Sequence, residues 1–148
     1  MVIVQTEIII NCPIDQVAAY ATNPDNAPEW YVNIDSAVWQ TPKPLQIGSR
    51  IAFKAQFLGR ELAYTYEIIE HIPGQKLVMR TQEGPFPMET SYTWETINKN
   101  STRMTLRNSG LPSGFSKIFA PFMAMMMRRA NNKDLRMIKE ILEGGPSF

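Results

Sequence analysis

The sequence contains a single cysteine, Cys12, and a single histidine, His71. One cysteine excludes an intramolecular disulfide and fits a reducing compartment. One histidine, with no second histidine or cysteine near it, leaves no metal site of the usual tetrahedral kind. A Cys–His nucleophile pair is equally unsupported, because the two lie far apart in sequence. Cys12, just before Pro13, reads as a structural cap or buried thiol, and His71, just before Pro73-Gly74, as a surface side chain. Charge of one sign is also missing. Fifteen Lys and Arg face 14 Asp and Glu, a net charge of +1, and the nearest thing to a basic face is Arg128-Arg129 with Lys133 and Arg136, read as the solvated side of a helix. No nucleic-acid partner is expected. The longest apolar run, Ile118 to Met127, is broken by Pro121 and falls far short of the ~20 residues of a membrane span. Met1 to Ile10 lacks the basic start and small-residue cleavage site of a signal peptide, so a cytoplasmic protein without a transmembrane segment is expected. Gly84-Pro85-Phe86-Pro87 is too rigid for a phosphate loop, and no cofactor is implied.

What remains is an ordinary globular composition, 44% apolar and 20% charged over 148 residues, enough for one domain over 1–148 that buries roughly 70% of its unfolded surface. Val2 to Ile10 is β-branched and partly alternating, and it stops at Asn11-Cys12-Pro13; it predicts a strand. Pro13 at a first helical position, with Asp15 behind it, opens a short helix, and Asn23-Pro24-Asp25 repeats the device before Trp30-Tyr31. From Ile34 to Asn108 the pattern turns to period two. Gly and Pro punctuation divides it into six strands: Ile34 to Gln40, Arg50 to Leu58, Glu61 to His71, Lys76 to Glu83, Met88 to Ile97 and Thr102 to Asn108. The short connections exclude helical crossovers, so the sheet is antiparallel. Helical periodicity returns through Phe115, Phe119, Phe122, Met123, Met126, Ala130, Met137, Ile138 and Ile141 and ends at Gly144-Gly145-Pro146, one long helix with a kink expected at Pro121. Strand and helix runs segregate, which means α+β. A seven-stranded, twisted sheet must have one face covered, and only the C-terminal helix is long enough to cover it.

The order of elements and several local signatures resemble the START-related (SRPBCC, helix-grip) superfamily, and within it the polyketide cyclase/dehydrase and lipid-transport family. The resemblance spans essentially the whole chain. Its carriers are the opening strand into Asn11-Cys12-Pro13-Ile14-Asp15-Gln16-Val17, Asn23-Pro24 through Glu29-Trp30, Ile47-Gly48-Ser49-Arg50, Ile72-Pro73-Gly74-Gln75-Lys76-Leu77 and Ser101-Thr102-Arg103-Met104-Thr105-Leu106. It implies a helix-grip fold, with the curved sheet wrapped around the long helix and two short helices between strands one and two. It also implies a hydrophobic cavity between sheet and helix that takes lipids, polyketides or similar molecules. The superfamily has no universal catalytic motif, so the resemblance transfers no catalytic residue.

Alternation selects the lining, since side chains two apart share a face of a strand. The inward set is Ile51, Phe53, Ala55 and Phe57; Leu62, Tyr64, Tyr66 and Ile68; Leu77, Met79 and Thr81; Met88, Thr90, Tyr92 and Trp94; Met104 and Leu106. Arg50, Lys54, Gln56, Thr65, Glu67, Arg80, Glu89, Thr93, Glu95, Arg103 and Arg107 fall on the solvent side. Ligand contacts are expected from Phe53, Phe57, Tyr64, Tyr66, Met79, Met88, Thr90, Tyr92 and Trp94 on the sheet. The helix would add Phe119, Phe122, Met123 and Met126, and Trp30 with Tyr31 would stand at the rim. Tyr64, Tyr66, Tyr92 and Thr90 are the polar handles. Nine methionines, four of them within Met123 to Met127, suit either a surface that adapts to its ligand, here or at a portal, or gap filling in an ordinary core.

Three functions compete. Binding or transport of a small hydrophobic molecule leads. A cyclase- or dehydratase-type enzyme needs an ionisable group directed into the cavity, and the inward set offers only tyrosines and threonines. A protein-interaction module needs an exposed apolar patch, which the Met-rich segment could supply. Neither a metal nor a cofactor enters any of the three.

Overall fold

In a computed structural model, residues 2–57, 59–83, 87–110 and 120–144 are described. Strand β1 (Val2–Ile10) leads through Pro13 into α1 (Ile14–Thr22). Pro13 stands one position earlier than expected, as the extended residue capping the helix rather than its first turn. At Asn23-Pro24-Asp25 the expected device is present: the Asn23 side chain accepts from the Asp25 N–H and Pro24 opens a 3-10 turn, Pro24–Asn26, which runs into the short α2 (Ala27–Trp30). Six strands follow: β2 (Ile34–Trp39), β3 (Arg50–Phe57), β4 (Arg60–Ile72), β5 (Lys76–Glu83), β6 (Met88–Asn98) and β7 (Ser101–Gly110). The chain then enters α3 (Ala120–Gly144). The kink expected at Pro121 depends on the turn before Ala120, which lies outside the described residues.

All seven strands form one antiparallel sheet in the order β1-β7-β6-β5-β4-β3-β2. Neighbours in sequence are neighbours in space, except that β1 closes on β7. The β4–β5 turn is made by Pro73-Gly74, with Gly74 at φ +74°, a left-handed conformation that costs other residues about 1–2 kcal/mol. The predicted faces hold. On the outer face, directly opposed residues form the ion pairs Arg50–Glu67 (3.0 Å), Arg80–Glu89 (3.0 Å) and Arg103–Glu95 (3.3 Å). Thr65 is the exception, buried where the β4–β5 register shifts between Thr65 and Tyr66.

The sheet curves around α3. The C-terminal half of the helix sits on a filled core in which Leu135 and Ile138 belong to one buried cluster with Ile10, Val17, Trp94 and Met104. That end is tied to β1 by Lys139 Nζ donating to the Ile9 carbonyl (2.7 Å) and by the Asn11 N–H donating to Glu143 (2.7 Å). The buried Thr102 hydroxyl donates to the Cys12 carbonyl at 2.9 Å and fixes the start of α1 to β7. Cys12 itself is buried, with its thiol on Gln16 (3.0 Å), and burial, then the Glu143 carboxylate, pushes it above the usual thiol range. No helix among the described residues is long and apolar enough to cross a membrane.

Candidate functional site

Under the N-terminal half of α3 the core is not filled by the described residues. The described residues bound a cavity of about 170 Å³, room for about half a dozen waters at ~30 Å³ each. The sheet supplies its aromatic floor. Phe53 on β3 faces Tyr64 on β4 at a ring separation of 5.7 Å, and Tyr66 stands edge-on to Tyr64 at 5.3 Å. Strands β5 and β6 add Met79, Met88, Thr90 and Tyr92. Met123, Met127 and Ala130 form the roof on α3, Tyr31 closes one side below α2, and Leu45 comes from the β2–β3 connection. That connection is held by Asp25, which takes hydrogen bonds from Trp39 Nε1 (3.0 Å) and Lys43 Nζ (2.7 Å).

Two polar arrays interrupt the apolar wall. Thr90 gives its hydroxyl proton to Asn108 Oδ1 (2.7 Å), so the Tyr66 hydroxyl, 2.7 Å away, donates to Thr90. The Tyr31 and Tyr92 hydroxyls are paired with each other. Burial pushes the phenols of Tyr31, Tyr64 and Tyr92 well above the usual tyrosine range. Burial likewise raises Tyr66 to about 12. All four are neutral at physiological pH.

Strand alternation placed no ionisable acid or base in the cavity, and here the structure adds one. Asp134, on α3 and 3% exposed, lines the cavity. Its Oδ1 accepts from the Val32 N–H at 2.9 Å, beside Tyr31. Burial raises its carboxyl to about 7 even though that hydrogen bond works the other way. Helical geometry is consistent with that position. At 100° per residue, Met123, Met127, Ala130, Asp134 and Ile138 fall on one stripe, and Asp134 is the single acid on it. Asn131, 5% exposed, joins the same wall.

Of the expected contacts, Tyr31, Phe53, Tyr64, Tyr66, Met79, Met88, Thr90, Tyr92 and Met123 line the cavity. Trp30 does not stand at its rim. It is 1% exposed, stacked behind Tyr31 at 4.1 Å, with its indole N–H buried and unpartnered. Trp94 faces inward but in the filled core, since alternation gives the face of a strand and not the level along it. Phe122 is exposed, and Met126 lies in a surface depression with Arg129 and Lys133. Both sit off the stripe, Met126 by about a quarter-turn and Phe122 by more. Phe119 and the Phe57 side chain lie outside the described residues. His71 is half-buried on β4, away from the cavity. Asn108, Met127, Asn131 and Asp134 are among the wall residues outside the expected set.

No curated protein sequence shows significant similarity to the chain. Among solved structures, a protein of Thermus thermophilus superposes with a TM-score of 0.83 at 16% identity, over 98% of this chain and 99% of that one. The Zhui aromatase/cyclase of a Streptomyces species gives 0.80 at 12% identity, over 98% of both chains. A START superfamily protein of Mycobacterium smegmatis gives 0.81 at 10% identity, over 96% of this chain and 97% of its own. At these identities the likeness is one of fold. The family model described as polyketide cyclase/dehydrase and lipid transport matches residues 1–143, nearly the full length over which the sheet, the helix and the cavity between them are built. The chain belongs to the polyketide cyclase/dehydrase and lipid transport family.

Proposed function

We propose that the protein binds one small, largely apolar molecule in the cavity between sheet and α3 and carries it. The observation that supports this is the unfilled volume itself. Protein interiors are close-packed and each missing contact costs stability, so an aromatic-walled space of about 170 Å³ under a Met-rich roof is a feature to be filled by a ligand. Family membership points the same way. The test is saturable binding of the neutral fluorophore N-phenylnaphthylamine to folded variants. Met127→Glu puts a carboxylate on the cavity wall and should weaken binding about tenfold or more. Arg129→Glu, on the exposed side, should leave it within about twofold. Equal affinities, with both variants folded, would remove the reading. Met126, one of the expected contacts, is in the surface depression and does not serve for this comparison.

One observation favours a second reading, a cyclase- or dehydratase-type enzyme. Asp134 is a cavity carboxyl with its pKa raised to about 7, next to the Tyr31–Tyr92 pair, and such a group can take up or release a proton at neutral pH. Recovery of the bound molecule after incubation, by chromatography with mass spectrometry, separates the two readings: a carrier returns it unchanged, whereas an enzyme returns either a species lighter by one water after dehydration or one of equal mass and different retention after cyclisation.

A further inference from the structure

The charges around the cavity are one-sided. Among the described residues that line it there is no Lys, Arg or His, while there are two carboxylates, the buried Asp134 and the half-buried Glu89. Glu89 is neutralised by Arg80 at 3.0 Å. Asp134 has no cation within ion-pair distance among the described residues; its one hydrogen bond is the Val32 N–H on Oδ1. A buried carboxylate without a counter-charge is costly, and a bound cation removes that cost directly. The surroundings suit a cation for a second, independent reason. Tyr31, Tyr64, Tyr66, Tyr92 and Phe53 all present rings to the same volume, and aromatic faces attract ammonium groups, more strongly where water is excluded. Among the described lining residues no side chain carries a positive charge to meet a carboxylate or phosphate; the donors there, such as the tyrosine hydroxyls and the Asn131 amide, are neutral.

We infer that the molecule held in this cavity is an amine: an apolar body lying on the aromatic floor of β3–β6, with one ammonium group set between the Asp134 carboxylate and the tyrosine rings. This deepens the binding reading proposed above and rests on it. With no cation among the described lining residues, organic bases are favoured over fatty acids and phosphate-bearing lipids, a distinction between ligand chemistries that the fold alone does not make.

Three probes of one apolar body test it: naphthylethylamine, naphthylethanol and naphthylacetate, titrated calorimetrically near pH 8 into the wild-type protein and Asp134→Asn. The amine should bind wild type at least about tenfold more tightly than the alcohol, with the acetate weakest. Asp134→Asn keeps the side-chain shape and an acceptor for the Val32 N–H, so it should stay folded and lose the preference for the amine over the alcohol. If the alcohol binds and the amine shows no advantage, or keeps its advantage in Asp134→Asn, the amine assignment falls and the binding reading stands. A tighter acetate would have the same effect. If none of the three binds the folded protein, both fall together.

Discussion

Removing the charge of Asp134 should stabilise the ligand-free protein, and by an amount that depends on pH. The carboxyl is raised in the folded state from 3.8 to about 7, so between those values the folded protein holds a proton that the unfolded chain has released. Stability then falls as pH rises through that window, because the unfolded state binds fewer protons than the native one. The full gap, at ~1.4 kcal/mol per pH unit, corresponds to about 4 kcal/mol. Part of it, roughly 1.5 kcal/mol, is already present at pH 5, where the unfolded carboxylate is ionised. From pH 5 to pH 8.5 the wild type should therefore lose roughly 2–3 kcal/mol that Asp134→Asn does not lose. Asparagine is neutral, has the same shape, and offers Oδ1 to the Val32 N–H as the aspartate does. Other groups that titrate in this range are common to both proteins, and the four cavity tyrosines stay neutral throughout. The assay is urea unfolding followed by circular dichroism at pH 5, 6, 7, 8 and 8.5 on both proteins freed of ligand. The variant's advantage should widen steadily with pH. A difference that is the same at every pH, or that shrinks as pH rises, would mean that Asp134 is solvated or paired in solution, and the electrostatic description of the cavity would be wrong.

Ile138→Ala, in the filled half of the core where Ile138 is fully buried, should cost about 2–5 kcal/mol in the same assay, whereas Met126→Ala in the surface depression should cost well under half of that. Cys12 should resist alkylation in the folded protein at pH 8 and react at the rate of a free thiol once urea unfolds the chain, since burial and the nearby Glu143 both disfavour its thiolate; rapid labelling of the native protein would contradict the buried position.

The local patterns of the chain are sufficient for its elements and their faces. Period-two alternation is a backbone property, so Phe53, Tyr66, Tyr92 and Met104 are assigned inward without knowing what lies opposite them, and Asn23-Pro24-Asp25 carries its turn in its own side chains. What alternation does not encode is height along the strand. Tyr92 and Trp94 share a face two residues apart, yet one borders the cavity and the other belongs to the filled core, because α1 and the Leu135–Ile138 end of α3 reach only part of the sheet. Trp30 departs from its expected place for a related reason: its size and amphipathic ring suit a rim, but the tertiary contacts of α2 turn it behind Tyr31. Asp134 is the sharpest case. Hydrophobicity marks which helical face is buried only while that face is apolar, so an acid on the stripe is invisible to the very signal that defines the stripe. The rotation of α3 about its axis, set by Leu135 and Ile138 packing into the core and by Lys139 and Glu143 gripping β1, decides that the carboxylate points into the cavity. Sequence determined the sheet, the helix and the apolar floor between them. Only the docking of the helix, a balance of long-range contacts that no local window contains, put a single buried charge inside.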